Sequence, residues 1–298
     1  MPMATPDIMG TVDAADTARN SVIEGLRAHI RRIEGSADFA GAGVPSGGDS
    51  WTLGIEVIDR LLGPRGLEAG GVHEIRAEAV ANGTSAAAAT ASRRAFALML
   101  GMRRLLVLPR ARPIVWCLPL ALLQETGAPY SRGLGALGLD CSHLVLVTPR
   151  KAQDVLWVIE EAVRTPSLAL VLGEVAGVGA TAARRLSLAS AGSGTPCLLV
   201  SPDARAPVLA TATRWRVAPR ASAADPLDPL APGASGFQVA LERCRARPLV
   251  SCSNDYAVEW CDGARCFRLA APVSDRALAP DATRLSPPDA TALRKRTA

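Results

Sequence analysis

From Trp51 to Pro219 the chain alternates short apolar runs with longer stretches of helical periodicity, and this alternation constrains the fold more than any other feature. A continuous apolar run of about four to eight residues suits a strand buried on both faces, and strands separated by helical stretches must cross over to pair in parallel. The predicted strands are "VHEI", "PIVWCL", "LVLVT", "LALVLGEV", "PCLLVS" and "RWRVA". Helices are predicted between them at 86–104, 151–164 and 179–190, the middle one turning Val155, Val158, Ile159 and Ala162 towards the sheet. The fold class is α/β, a mostly parallel sheet flanked by helices. Trp116 and Trp157 are expected in the core, while the pattern leaves Trp51, Trp215 and Trp260 unplaced.

The flanks read differently. Residues 17–34, "TARNSVIEGLRAHIRRIE", set Ile23, Leu26, Ile30 and Ile33 at helical spacing with charges opposite, an amphipathic helix that needs a partner surface. "GSADFAGAGVPSGGDS" follows with the composition of a flexible linker and contains Phe39 in a Phe-x-x-Ala pattern. Residues 1–50 are therefore an arm on a tether, and 51–219 the core. A second Pro/Ala/Gly linker at 220–235 leads to "FQVALERCRA", "YAVEWC" and "RCFRLA", read as short antiparallel strands over 236–273, the last two joined by a "DGA" turn. The tail from 274 to 298 is polar and ends in "RKR", so it is expected to be disordered.

Composition excludes several classes of function. "FALMLGMRRLLVLP" is broken by Arg103 and Arg104 and falls short of the roughly 18–20 apolar residues that cross a bilayer. The N-terminus has neither the basic nor the apolar region of a signal peptide, so a cytoplasmic protein without membrane contact is expected. Seven cysteines at irregular spacing suit free thiols better than a disulfide framework. Four of them, Cys244, Cys252, Cys261 and Cys266, crowd the last third without a Cys-x-x-Cys pair or a nearby histidine, so no metal is expected. Net charge is +5, yet the only lysines are Lys151 and Lys295. Arg93, Arg94, Arg103 and Arg104 lie on one predicted helix, a candidate basic patch for phosphate or an acidic partner, with a solvated helix face as the plainer reading.

The shortage of lysine matters at residues 74–91, "EIRAEAVANGTSAAAATA". The approach to them, "LGIEVIDRLLGPRGLEAGGVHEI", resembles the entry to the RecA core, where such a run leads through a strand into a phosphate-binding loop. On the eight-residue loop pattern, Glu78 stands where the first glycine belongs, Gly83 keeps the second, Thr84 replaces the lysine and Ser85 keeps the hydroxyl. Without the lysine, and with a carboxylate at the turn, a γ-phosphate meets repulsion. The other catalytic positions agree. "IVWCLPLALL" offers Cys117, Leu118 and Pro119 where the RecA core carries a glutamate. "LALVLGEV" gives Gly173 where a magnesium-binding aspartate belongs, with Glu174 one position late. Backbone amides at a helix N-terminus still attract anions, so weak nucleotide binding through Ser85 and Glu174 is the competing expectation.

"GGVHEI", "GLGALGLD", "DVLWVIEEAVR", "GEV", "RRLSLAS" and "RWRV" together resemble the ImuA family of bacterial damage-inducible mutagenesis proteins, over about residues 51–245. The resemblance implies a RecA-like core with degenerate nucleotide motifs, no cofactor and no catalysis. It also implies an accessory role in SOS-induced translesion synthesis, through contacts with the Y-family-like protein ImuB and with RecA. An error-prone replicative-type polymerase and DNA would be engaged indirectly. By the RecA analogy, the helix at 17–34 is a protomer-joining or partner-binding arm. Two other functions compete: a diverged RecA-like ATPase, with Lys151 as its one core lysine, and a SulA-type cell-division inhibitor, whose chains are shorter and lack the strands after residue 236.

Overall fold

The computed structural model describes residues 51–64, 66–77, 85–201, 211–222, 228, 231, 233–247 and 254–270. The expected arm with Ile23, Leu26, Ile30, Ile33 and Phe39, the loop residues Glu78, Gly83 and Thr84, and the tail lie outside the described residues.

The elements run α1 (Glu56–Leu62), β1 (Val72–Ala77), α2 (Ala86–Val107), β2 (Ile114–Cys117), α3 (Leu120–Thr126), α4 (Ser131–Ala136), a 3-10 turn (Cys141–His143), β3 (Leu144–Val147), α5 (Ala152–Val163), β4 (Leu170–Glu174), α6 (Ala180–Ser193), β5 (Cys197–Ser201), β6 (Thr213–Arg220), β7 (Gly236–Cys244), β8 (Asp255–Cys261) and β9 (Cys266–Leu269). All nine strands form one sheet in the order β3-β2-β4-β5-β1-β6-β7-β8-β9. Pairing is parallel from β3 to β6. It turns antiparallel from β6 to β9. The strands after residue 236 therefore continue the main sheet, with Arg220 of β6 opposite Gly236 of β7.

Side chains alternate across a strand, so each strand feeds two cores. On one face Ile75, Ile114, Trp116, Leu170, Leu172, Leu198, Trp215, Val239, Leu241 and Trp260 pack with Phe96, Met99 and Leu100 of α2. On the other, Val72, Val115, Cys117, Val171, Cys197 and Leu199 pack with Val155, Ile159 and Val163 of α5 and Leu186 of α6. Burying each such aliphatic side chain is worth roughly 1.5–3 kcal/mol, so the two layers together hold the sheet. Close approach is built into two glycines. A Cβ on Gly101 would lie 2.7 Å from Leu170 Cδ2, and one on Gly173 would lie 2.5 Å from Ile159 Cδ1. Beyond β5, ion pairs run across the strands: Arg76 and Arg216 each meet Glu242, and Arg216 meets Asp255.

Two expectations need correction. Trp157 is not in the core but 64% exposed, because Val155 and Ile159 take the inward phase of α5 and leave residue 157 on its outer side. The α2 arginines do not form a solvent-facing patch. Arg93 and Arg104 are buried, the latter with its guanidinium carbon 5.3 Å from the centre of the Trp51 ring, while Arg103 donates to the Thr52 carbonyl. Among the described residues, no helix is long and apolar enough to cross a membrane.

Candidate functional site

Of the residues singled out by the degenerate nucleotide motifs, Glu78, Gly83 and Thr84 lie outside the described residues, Ser85 opens α2, and Glu174 stands at the C-terminal end of β4 beside Trp116 of β2. In open α/β sheets this is where ligands bind. Ser85 is the N-cap of α2, and its hydroxyl oxygen accepts the Ala88 amide at 3.1 Å. The hydroxyl that would reach a magnesium ion is thus also the one that closes the helix.

At the end of β4 a one-residue slip decides the chemistry. Gly173 faces α5, where a Cβ would lie 2.5 Å from Ile159 Cδ1, so a side chain at that position would have to displace Ile159. Moving the acid to Glu174 puts it on the opposite face, beside Trp116 and under α2. There its carboxylate is fully engaged. Arg94 Nε donates to both oxygens at 2.8 Å, and Trp116 Nε1 donates to Oε1 at 2.9 Å. Arg94 is held in turn, donating from Nη1 to Thr126 Oγ1 at 2.7 Å, and that hydroxyl donates to the Leu122 carbonyl. The side chain of Glu174 is 4% exposed and that of Arg94 14%. Burial pushes the Glu174 carboxyl upward, against the opposing pull of Arg94 and Trp116.

Arg93 completes the cluster. It is buried beside Glu174, donates to Thr90 Oγ1, and has its own basicity lowered by desolvation. Two guanidinium groups therefore face one carboxylate, one residue past the position where a nucleotide enzyme presents an acid to a metal ion and on the other side of the strand. A divalent cation would have to displace Arg94 to reach those oxygens, so the Glu174 carboxylate as it stands does not fit the role of a metal ligand. The neighbouring strand end offers no substitute: the Cys117 thiol faces the α5 side, and burial drives its pKa up to about 12. Lys151 stands exposed at the N-cap of α5.

The sequence marked Arg94 and Glu174 separately and missed that they pair. The strand parity that sets Trp116 and Glu174 on one face was available in the sequence; the contact with α2, 80 residues earlier in the chain, was not.

Set beside known proteins, the chain is 31% identical over 204 residues to Protein ImuA from two strains of Caulobacter vibrioides, NA1000 / CB15N and ATCC 19089 / CIP 103742 / CB 15. The aligned region is 65% of this chain and 78% of each relative. The chain belongs to the ImuA family. No family model matches it. Aligned over most of a relative's length, the ImuA likeness is a property of the body of the chain and not of one motif.

Proposed function

We propose that this ImuA-family chain is a non-catalytic accessory protein of SOS-induced mutagenic DNA synthesis, a RecA-shaped body that works through its surfaces. Its partners in this reading are an ImuB-like Y-family protein and RecA, with the error-prone polymerase and DNA engaged through them. The observation that carries the reading is the closed cluster of Arg94, Glu174 and Trp116. A strand-end acid that serves phosphoryl transfer keeps oxygens available to a metal ion. Here both oxygens are spent inside the protein, and the loop pattern before α2 has no lysine. What remains useful of such a scaffold is its shape.

Isothermal titration with ATP and magnesium is expected to show no binding below millimolar concentration, and no turnover over hours. A micromolar Kd, or hydrolysis abolished by Ser85→Ala, would promote the ATPase reading in its place. Co-purification with a purified ImuB-like protein and with RecA then tests the partners, in buffers with and without nucleotide.

A further inference from the structure

Of the five tryptophans, Trp51, Trp116, Trp215 and Trp260 are at most 4% exposed, and Trp157 is 64% exposed. It stands on a well-packed helix, not at a chain end. Beside it a groove of about 280 Å³ runs between α5 and α6, floored by Leu156, Ala182 and Leu186. Leu188 of α6 adds a second large apolar side chain, 63% exposed.

The charges around the groove are arranged unequally. Glu160 is buried and bonded on both oxygens, Oε1 to Arg164 and Oε2 to Arg185 at 2.6 Å. The two arginines keep 55% and 62% of their side chains in water. Arg184 is exposed on α6, which carries no carboxylate along its length. Glu161 on α5 lies 3.6 Å from Arg164. One buried carboxylate thus fixes two guanidinium groups in place, Arg164 shared with Glu161 and both more than half in water.

An exposed indole over an apolar floor with fixed arginines at the rim has the composition of a protein-binding hot spot, in which tryptophan and arginine dominate. We propose that the α5/α6 groove binds an amphipathic acidic segment of a partner protein, whose apolar side chains cover Trp157 and Leu188 and whose carboxylates meet Arg164, Arg184 and Arg185. Charge selects this occupant: within the groove's own lining the exposed charge is that of Arg185, while the carboxylate of Glu160 is buried. The inference deepens the surface-acting reading above and rests on it, but nucleotide titration and groove binding are separate measurements and can fail separately.

The test uses the full chain and two synthetic amphipathic peptides of about 15 residues, near the length at which a helix holds in water. Both carry leucines at i, i+3, i+4 and i+7, one with glutamates and the other with lysines on the remaining faces. Binding is read by anisotropy of a dye on the peptide, and by acrylamide quenching of the protein's indoles, where the quenchable fraction reports Trp157. The acidic peptide is expected to bind, to shield Trp157, and to weaken with added salt. Trp157→Ala and Arg184→Glu are each expected to weaken it roughly tenfold or more while melting like the parent protein. The proposal is overturned if the lysine peptide binds equally well, if neither substitution changes affinity, or if the acidic peptide does not bind. Shielding of Trp157 that rises with protein concentration alone, together with a dimer's mass, would make a second copy the occupant and overturn it equally.

Discussion

Glu174 and Glu160 are both buried carboxylates held by arginine, and they end in opposite situations. Glu174 sits at a strand end with Arg94 buried over it and an indole N–H closing the remaining approach. Glu160 sits on a helix, and both of its arginines reach out into water. Buried acids with basic partners mark functional sites only when something is left over to interact. At the strand end both carboxylate oxygens are spent and Arg94 is only 14% exposed; at the groove the guanidinium groups stand more than half in water.

The difference has its largest expected effect on stability. Glu174→Ala strands a buried guanidinium and a buried indole N–H, and is expected to cost about 3–5 kcal/mol, read by urea unfolding. Glu160→Ala frees two half-exposed arginines to hydrate, and is expected to cost under about 1 kcal/mol. Equal losses would erase the contrast. The double variant Arg94→Met with Glu174→Met is expected to recover most of the larger loss, since the pair leaves together.

An acid scan sharpens the same contrast between interior and rinsed groups. His73 is fully buried. Nε2–H donates to the Glu68 carbonyl, so Nδ1 is the acceptor from the Thr213 hydroxyl, which takes a bond from Trp215 Nε1 in turn. Desolvation lowers its pKa from 6.5 to about 4. A depressed folded value means the stabilisation is complete above pH 6.5 and drains away as the pH falls towards 4, by about 3 kcal/mol in all. Chemical denaturation between pH 7 and 4 checks this, and His73→Gln is expected to flatten the slope in that window. Glu174 works the other way, its raised pKa returning some stability as it protonates.

The smallest effect is the most discriminating one. Trp157→Ala is expected to change unfolding free energy by no more than about 0.5 kcal/mol, the usual range for a surface position. A loss of several kcal/mol would mean that the indole belongs to the packing and not to the groove.

Much of this was legible in the sequence because it is local. Strand parity and helical phase are written along the chain, so the strands from "VHEI" to "RWRVA" and the inward set Val155, Val158, Ile159 and Ala162 follow from it. Trp157 was misplaced because its size, and not its phase, put it in the core: it lies two residues from both Val155 and Ile159 and therefore points away from both. Arg93 and Arg104 were correctly set on one face of α2, but charge misled about which way that face turns. What lets arginines go inside is a partner such as Trp51, brought over α2 by tertiary packing. The short helices α3 and α4 lack strong side-chain caps, and went unpredicted for that reason. The pairing of Arg94 with Glu174 needed the strand order itself.

One aromatic contact set has a consequence for how the chain is made. Phe96 of α2 touches Trp215, Phe237 and Phe267, with ring centres 6.1, 5.9 and 5.1 Å away. Those rings arrive more than a hundred residues after Phe96 leaves the ribosome. Such long-range contacts close slowly and leave apolar surface exposed meanwhile. The helix that follows the degenerate loop is thus finished by the last strands of the sheet, and a nascent chain halted before β7 would hold an α2 whose Phe96 still lacks Phe237 and Phe267.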